Sequence, residues 1–290
     1  MSGESSQDQP SPLSVARSLL FVPGSAPERF HKALSSEADV VCLDLEDAVA
    51  PGAKAAARSA VLDCLASCRE RARLCVRINA LGSLEGLEDA AALIRSSARP
   101  AFLMLPKVES AREVELLTLA FPSGTRPQVI SLIESPRGVE AAFEIAAAAG
   151  SAALLFGSFD YAAQTGCSQE WSALLAARSR IVAAAASAGR AALDSPFATL
   201  EDAAAAEAAM ARQIGFSGKA AIHPRLIAAI NAAFTPTEEE LSEARSILQA
   251  FAAAGGQACR VGTRFVDAAV ARRMQRVLAR AGVRRASGRA

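Results

Sequence analysis

Residues 40–47 read VVCLDLED. The run opens with two β-branched residues, stays apolar on both faces for four positions and then ends in acids. That is the pattern of a strand buried in a parallel sheet whose carboxyl end meets solvent. Seven further runs repeat it: SLLFVPG from Ser18, LCVRIN from Leu74, AFLMLPK from Ala101, VISLIES from Val129, ALLFGSFD from Ala153, AALDS from Ala191 and KAAIHP from Lys219. Between them lie segments with helical spacing, among them Pro27 to Ser36, Gly86 to Ser97, Ser110 to Ala120, Pro136 to Ala149, Glu170 to Ala188 and Thr199 to Ile214. Eight strand–helix repeats over about 220 residues are the arithmetic of an α/β protein closed as a (β/α)8 TIM barrel. An open doubly wound sheet uses fewer strands and a Gly-rich first turn, and the first turn here, VPGS, lacks that glycine spacing.

The barrel is expected over residues 17–236, leaving a Pro- and Ser-rich polar tail over 1–16 that reads as disordered, and a surplus over 237–290. The surplus opens with a Thr237-x-x-Glu240 capping box and an amphipathic helix along Leu241, Ala244, Leu248 and Phe251. After Gly255-Gly256 comes a short extended piece and a last helix from about Ala268. This C-terminal helical extension is expected to cover the barrel mouth or to mediate oligomer contacts.

Charge excludes one class of function. The 290 residues carry 31 Lys+Arg against 30 Asp+Glu, so no basic footprint for nucleic acid exists. The longest uncharged stretch, Ile145 to Phe159, is shorter than the roughly 18–20 residues a bilayer span needs, so no membrane role is expected. The start of the chain has neither the basic opening nor the apolar run of a secretory signal. Six cysteines form no C-x-x-C pair, several sit in apolar runs, and only two histidines are present; a reducing, cytoplasmic setting is expected and a zinc site is not.

Acids and arginines at strand ends are the exceptions to buried-strand chemistry, and here they are numerous. Asp44 and Glu46 share one face; Arg77 and Asn79 end the third run, Lys107 and Glu109 the fourth, Glu134 the fifth, Asp160 the sixth, Asp194 the seventh and His223-Pro224 the eighth. All are expected at one mouth. Each has a structural reading as well: Glu134 beside a helix start at Ser135-Pro136, Asp160, Asp194 and Asp267 as helix caps, Arg77 as an ion-pair partner of Asp44 or Glu46, His223 as a structural hydrogen-bonder or a general base. Taken together, Glu134 and Asp160 end consecutive strands, and two adjacent carboxylates repel unless a cation or shared proton joins them. With no His or Cys partner, the pair suits a hard divalent ion, Mg²⁺, which takes one or two protein carboxylates and keeps positions for water and substrate oxygens. Arg77 would hold a substrate carboxylate or polarise a carbonyl oxygen.

The segments RSLLFVPG with Arg17, VVCLDLEDAV followed by Lys54 and Arg58, VRIN with Arg77, LPKVES, LIESPRGV, FGSFDYAAQTG and GFSGKAAIHP resemble, in order and over about residues 17–236, the citrate lyase β-subunit-like proteins, within the group that holds the HpcH/HpaI aldolases and malyl-CoA lyases. The resemblance implies a Mg²⁺-dependent barrel enzyme that makes or breaks a carbon–carbon bond between an acyl thioester and a 2-oxo acid, working as a homo-oligomer, a trimer or a hexamer. It implies that Glu134 and Asp160 ligate the metal, that Arg77 contacts the oxo-acid part, and that Arg17 with Ile222, His223 and Pro224 lies near the thioester carrier. It also implies that an aspartate of the C-terminal segment, Asp267 in GTRFVDAAV, acts on the substrate held by a neighbouring subunit; the chemistry itself makes Asp267 the candidate for proton transfer to or from the enolate, with Arg77 adding positive charge and Glu46 and Asp47 as catalytic candidates around the metal's ligands. Two departures stand out: Phe159 where many relatives carry an acid, and Ala269 where they carry proline. Thioester hydrolysis, coenzyme A-independent aldol cleavage, a place in a larger lyase assembly fed by an acyl-carrier protein, and a barrel that binds without turnover are the competing expectations.

Overall fold

A computed structural model describes residues 12–197 and 203–287. Eight parallel strands close a barrel in sequence order: β1 (Ser18–Pro23), β2 (Val40–Asp44), β3 (Leu74–Arg77), β4 (Phe102–Leu105), β5 (Gln128–Ile133), β6 (Ser151–Phe156), β7 (Ala191–Asp194) and β8 (Gly218–Ala221). The ring shuts where Leu19 and Leu20 of β1 register with Ala220 and Ala221 of β8. Every expected strand is present, and the TIM-barrel class follows directly. The helices are α1 (Pro12–Val15), α2 (Phe30–Leu34), α3 (Lys54–Ser67), α4 (Leu84–Arg95), α5 (Ala111–Ala120), α6 (Pro136–Glu140), α7 (Ala142–Ala147), α8 (Ser158–Thr165), α9 (Trp171–Ser187), α10 (Ala203–Ile214), α11 (Ile227–Phe234), α12 (Glu238–Ala253) and α13 (Ala268–Ser287). Residues 199–202 of the expected helix before Ile214 lie outside the described residues.

The barrel interior is filled by one parity on each strand: Leu19, Val40, Cys42, Cys75, Phe102, Met104, Ile130, Leu132, Ala153, Leu155, Ala191, Leu193 and Ala220 form one buried cluster. Since successive side chains alternate, the same parity carried to the carboxyl ends turns Asp44, Arg77 and Glu134 inward. The opposite parity packs against the helices, and there the sequence expectation for Asp194 fails. Asp194 follows the inward Leu193 and so faces outward, fully buried, where Lys219 Nζ donates to it at 2.6 Å and Arg178 Nε at 2.9 Å. Glu207 of α10 completes this ion group against Lys219. Asp194 therefore belongs to the barrel–helix layer and not to the mouth.

Three boundaries also move. Residues 12–16 are not a tail: α1 places Leu13 in the barrel-floor cluster with Ala16, because an apolar Leu at this point is worth about 1.5–3 kcal/mol when buried. Residues 1–11 of the expected tail lie outside the described residues. The sixth strand stops at Phe156, and Asp160 stands in the first turn of α8. The chain divides into two compact units at Asn231/Ala232, inside α11, five residues before the expected break.

The second unit contains α12, a two-stranded antiparallel ribbon of β9 (Cys259–Val261) and β10 (Arg264–Val266), and α13. The capping box forms as the sequence indicates, with Thr237 Oγ1 accepting from Glu240 N–H at 3.1 Å and Glu240 Oε2 from Thr237 N–H at 2.8 Å. Ala244, Ile247, Val266 and Met274 make its core. All six cysteines are unbridged thiols. No helix among the described residues is long and apolar enough to cross a membrane.

Candidate active site

At the carboxyl rim, Arg77 is gripped from both sides. Its Nε and Nη2 donate to the two oxygens of Asp44 at 2.6 Å each, and Nη1 approaches Glu46 Oε2 at 2.9 Å and Asp47 at 3.9 Å. Its flat face lies 4.9 Å over the Phe21 ring. Burial works against the charge on Arg77, but Asp44 and Glu46 more than reverse this and raise its pKa. The structural reading of Arg77 as an ion-pair partner is thus realised with both acids, and the guanidinium is fixed in place by them.

Glu46 and Asp47 are presented by a turn that Lys54 fastens. The Lys54 ammonium donates to Leu45 O, Glu46 O and Asn79 Oδ1 at 2.7–2.8 Å, which uses all three of its protons. Asn79 in turn donates to Asp89, which Arg58 also holds. Glu46 is buried, and burial raises its pKa against the opposing pull of Arg77 and Lys107.

Glu134 is also buried, directly beyond the end of β5. Burial, then the charges of Glu46 and Asp160, push its carboxyl up to about 9. A single hydrogen bond opposes them, from the Lys107 backbone N–H to Glu134 Oε1 at 2.8 Å. Lys107 makes that bond from a left-handed backbone, φ +55°, the sole non-glycine residue with positive φ among the described residues. Such strain costs about 1–3 kcal/mol and persists where the surroundings impose it. The Lys107 ammonium reaches Glu46 Oε1 at 2.6 Å and Asp47 at 3.7 Å.

Asp44, Glu46 and Asp47 gather around the cations Arg77 and Lys107, and Glu134 lies within the influence of Glu46, Asp160 and Lys107. No set of three or more His, Cys, Asp or Glu side chains among the described residues is arranged to hold a metal. The fit is therefore to an ion content with a carboxylate pair, and Glu134 with Asp160, all-oxygen and free of imidazole or thiolate, matches Mg²⁺. Room for the pair comes from Gly157, where a Cβ would stand 2.7 Å from Glu134 Oε2.

Other expected residues fall differently. Ile222, His223 and Pro224 follow β8 on this same rim, with Ile222 55% exposed. His223 Nδ1 accepts the Arg225 N–H at 3.1 Å as the cap of the turn Pro224–Leu226, which is its structural reading. Arg17 is a correction. It precedes β1, and its guanidinium is locked at 2.8–2.9 Å on Asp39, which precedes β2. In a parallel barrel both positions lie on the amino rim, the end away from Glu134. Asp267, in the second unit, caps α13 by accepting from Ala269 and Val270 N–H at 2.9 Å each. The roles of Lys107, Lys54 and Gly157 were not assigned from sequence; for Gly157 the signal was a glycine closing the strand next to the one that ends in Glu134.

A closed parallel barrel with a buried inward Glu134, the neighbouring Asp160 and the Arg77 guanidinium at its carboxyl rim places the chain among TIM-barrel enzymes. The chain belongs to the HpcH/HpaI aldolase/citrate lyase family, whose model matches residues 17–224; a second family model, carbon–carbon bond lyases of the TIM-barrel fold, matches residues 169–283. It is 35% identical over 282 residues to the citrate lyase subunit beta of Escherichia coli, covering 91% of this chain and 93% of that one. An L-malyl-CoA/beta-methylmalyl-CoA lyase of Cereibacter sphaeroides is 35% identical over 276 residues, covering 84% and 87%. Among solved structures, the protein CitE of Mycobacterium tuberculosis in complex with magnesium, acetoacetate and coenzyme A superposes with a TM-score of 0.79 at 36% identity, over 93% of this chain and all of that one.

Proposed function

We propose that the protein is a Mg²⁺-dependent carbon–carbon lyase that splits, or in reverse forms, a β-hydroxy acyl-CoA such as malyl-, citramalyl- or citryl-CoA, giving an acyl-CoA and a 2-oxo acid. The observation that carries this reading is Glu134: a buried carboxyl beside Asp160 and Glu46 whose ionisation calls for a cation. Family membership supplies the reaction class.

Glu134 and Asp160 would hold the ion, which when bound supplies Lewis-acid stabilisation to the oxygens of the oxo-acid half. Cleavage passes the hydroxyl proton to a base, converts that carbon to the carbonyl of the 2-oxo acid, breaks the bond to the α-carbon of the thioester and leaves an enolate to be protonated there. Arg77, held rigid by Asp44, contacts the oxo-acid half and offsets its negative charge. Glu46 and Asp47 orient Arg77 and Lys107 around the metal pair. Asp267 is assigned the proton transfer at the enolate carbon, offered to the barrel of a neighbouring copy; a homotrimer is the favoured assembly and a hexamer the alternative. Ile222, His223 and Pro224 border the approach of the thioester. Six unbridged cysteines support a cytoplasmic setting.

Incubating the purified protein with each of the three acyl-CoA substrates and Mg²⁺ tests this. Acyl-CoA plus a 2-oxo acid is the expected pair of products. Free coenzyme A with an intact hydroxy acid would assign thioester hydrolysis instead, and no product with measurable ligand binding would assign a non-catalytic barrel.

A further inference from the structure

Lys107 reaches two acids of the site by two different groups: its main-chain N–H holds Glu134 Oε1 at 2.8 Å and its ammonium holds Glu46 Oε1 at 2.6 Å. Turning the N–H toward Glu134 takes the left-handed backbone, which glycine would adopt without strain. The lysine is thus kept for its side chain. On Glu46 that side chain has a particular place. Glu46 Oε2 is buried and receives no aligned hydrogen bond, only the 2.9 Å approach of Arg77 Nη1. The Lys107 ammonium is then the one aligned hydrogen-bond donor to the Glu46 carboxylate among the described residues. Glu46 is also close enough to Glu134 that its charge is the strongest of those acting on that carboxyl.

We propose that Lys107 is a positioning residue that restrains Glu46 from joining Glu134 and Asp160 as a third metal ligand. This rests on the assignment of that pair to a divalent cation. The chemistry follows from ligand number. Mg²⁺ is small, dehydrates reluctantly and is served by one or two carboxylates with positions left for water and substrate, whereas Ca²⁺ takes six to eight oxygens and gains from each further carboxylate. By tying Glu46 back, Lys107 keeps the site open for substrate oxygens and selective for the smaller ion. Its half-exposed ammonium makes it a substitution the fold tolerates.

The test is calorimetric titration of the full-length protein, without substrate, with Mg²⁺ and separately with Ca²⁺. Lys107→Met is expected to raise the ratio of Ca²⁺ to Mg²⁺ affinity at least tenfold, without weakening Mg²⁺, while kcat falls at least tenfold. Lys107→Arg keeps a cation and is expected to hold the wild-type ratio. Glu46→Gln added to Lys107→Met removes the freed carboxylate and is expected to restore that ratio without restoring turnover. Weakened Mg²⁺ binding in Lys107→Met, or an unchanged ratio, would overturn the proposal and mark Lys107 as merely structural. A Glu134→Gln variant that binds Mg²⁺ like the wild type would instead remove the metal assignment beneath it.

Discussion

Gly157 and Glu134 are packed so closely that a methyl group on Gly157 would sit 2.5 Å from Glu134 Cβ and 2.7 Å from Glu134 Oε2. Real Cβ atoms do not come this near, so the strand that ends in Phe156 leaves its next position without a side chain to make space for the acid on β5. Gly157→Ala is expected to displace the Glu134 carboxylate and weaken Mg²⁺ binding by about 10–100-fold, the range seen when a metal ligand loses its support. Overpacking of this kind costs about 1–3 kcal/mol of stability, so the variant remains folded. Calorimetric Mg²⁺ titration beside a thermal melt separates the two effects; unchanged affinity would count against Glu134 as a ligand.

Arg77 and Asp44 make the tightest pairing at the rim, with Asp44 almost fully buried. Removing one member of a buried pair leaves the other charge uncompensated. Arg77→Met is expected to lose lyase activity and about 3–5 kcal/mol of stability in urea unfolding. Adding Asp44→Asn should return part of the stability and none of the activity. A loss in the double variant equal to the sum of the two single-variant losses would show that the pair is not coupled.

The buried group of Asp194, Lys219 and Arg178 faces the helices and gives the opposite pattern. Lys219→Met is expected to cost about 3–5 kcal/mol by the same reasoning. Mg²⁺ affinity should stay within roughly twofold, since well-separated sites act independently. A large loss of Mg²⁺ binding would place Asp194 functionally at the mouth after all.

A pH signature attaches to Glu134. Its carboxyl, pushed up from an ordinary 4.5 to about 9, keeps a proton in the metal-free folded chain that the unfolded chain has already lost. Stability of the chelator-treated protein is therefore expected to fall as pH rises between those two values. Binding Mg²⁺ near neutral pH should release a proton, because the ligand must ionise. Titrations in two buffers of different ionisation enthalpy measure that release, and Glu134→Gln should abolish it. Binding without proton release would contradict a neutral Glu134 in the metal-free state.

Much of this was legible in the residues because period-two alternation and strand-end acids are strong signals. A strand forms in each of the eight runs, and the Ser135 cap and the Thr237–Glu240 box stand where the sequence puts them, while the sixth strand stops at Phe156, short of Asp160. Asp194 was misplaced because AALDS is too short to show which parity faces inward; the register with β8, Asp194 beside Lys219, decides it. Arg17 sits at the start of its strand rather than the end, so the same rule that gathers Glu134 and Arg77 at one rim sends it to the other. Lys107 was expected at the mouth, but its bonding was hidden for a different reason: a left-handed lysine has no local sequence mark, and its two bonds to Glu134 and Glu46 span 27 and 61 residues.

The assignment of Glu134 and Asp160 as the cation-holding pair of a carbon–carbon lyase is tested most directly by one activity series. Wild-type protein stripped with a chelator, assayed on malyl-, citramalyl- and citryl-CoA, is expected to be inactive on all three and to recover activity on its substrate when Mg²⁺ is returned. Glu134→Ala and Asp160→Ala are expected to stay inactive with Mg²⁺ present. Full lyase activity in the chelator, or in either variant, would contradict it.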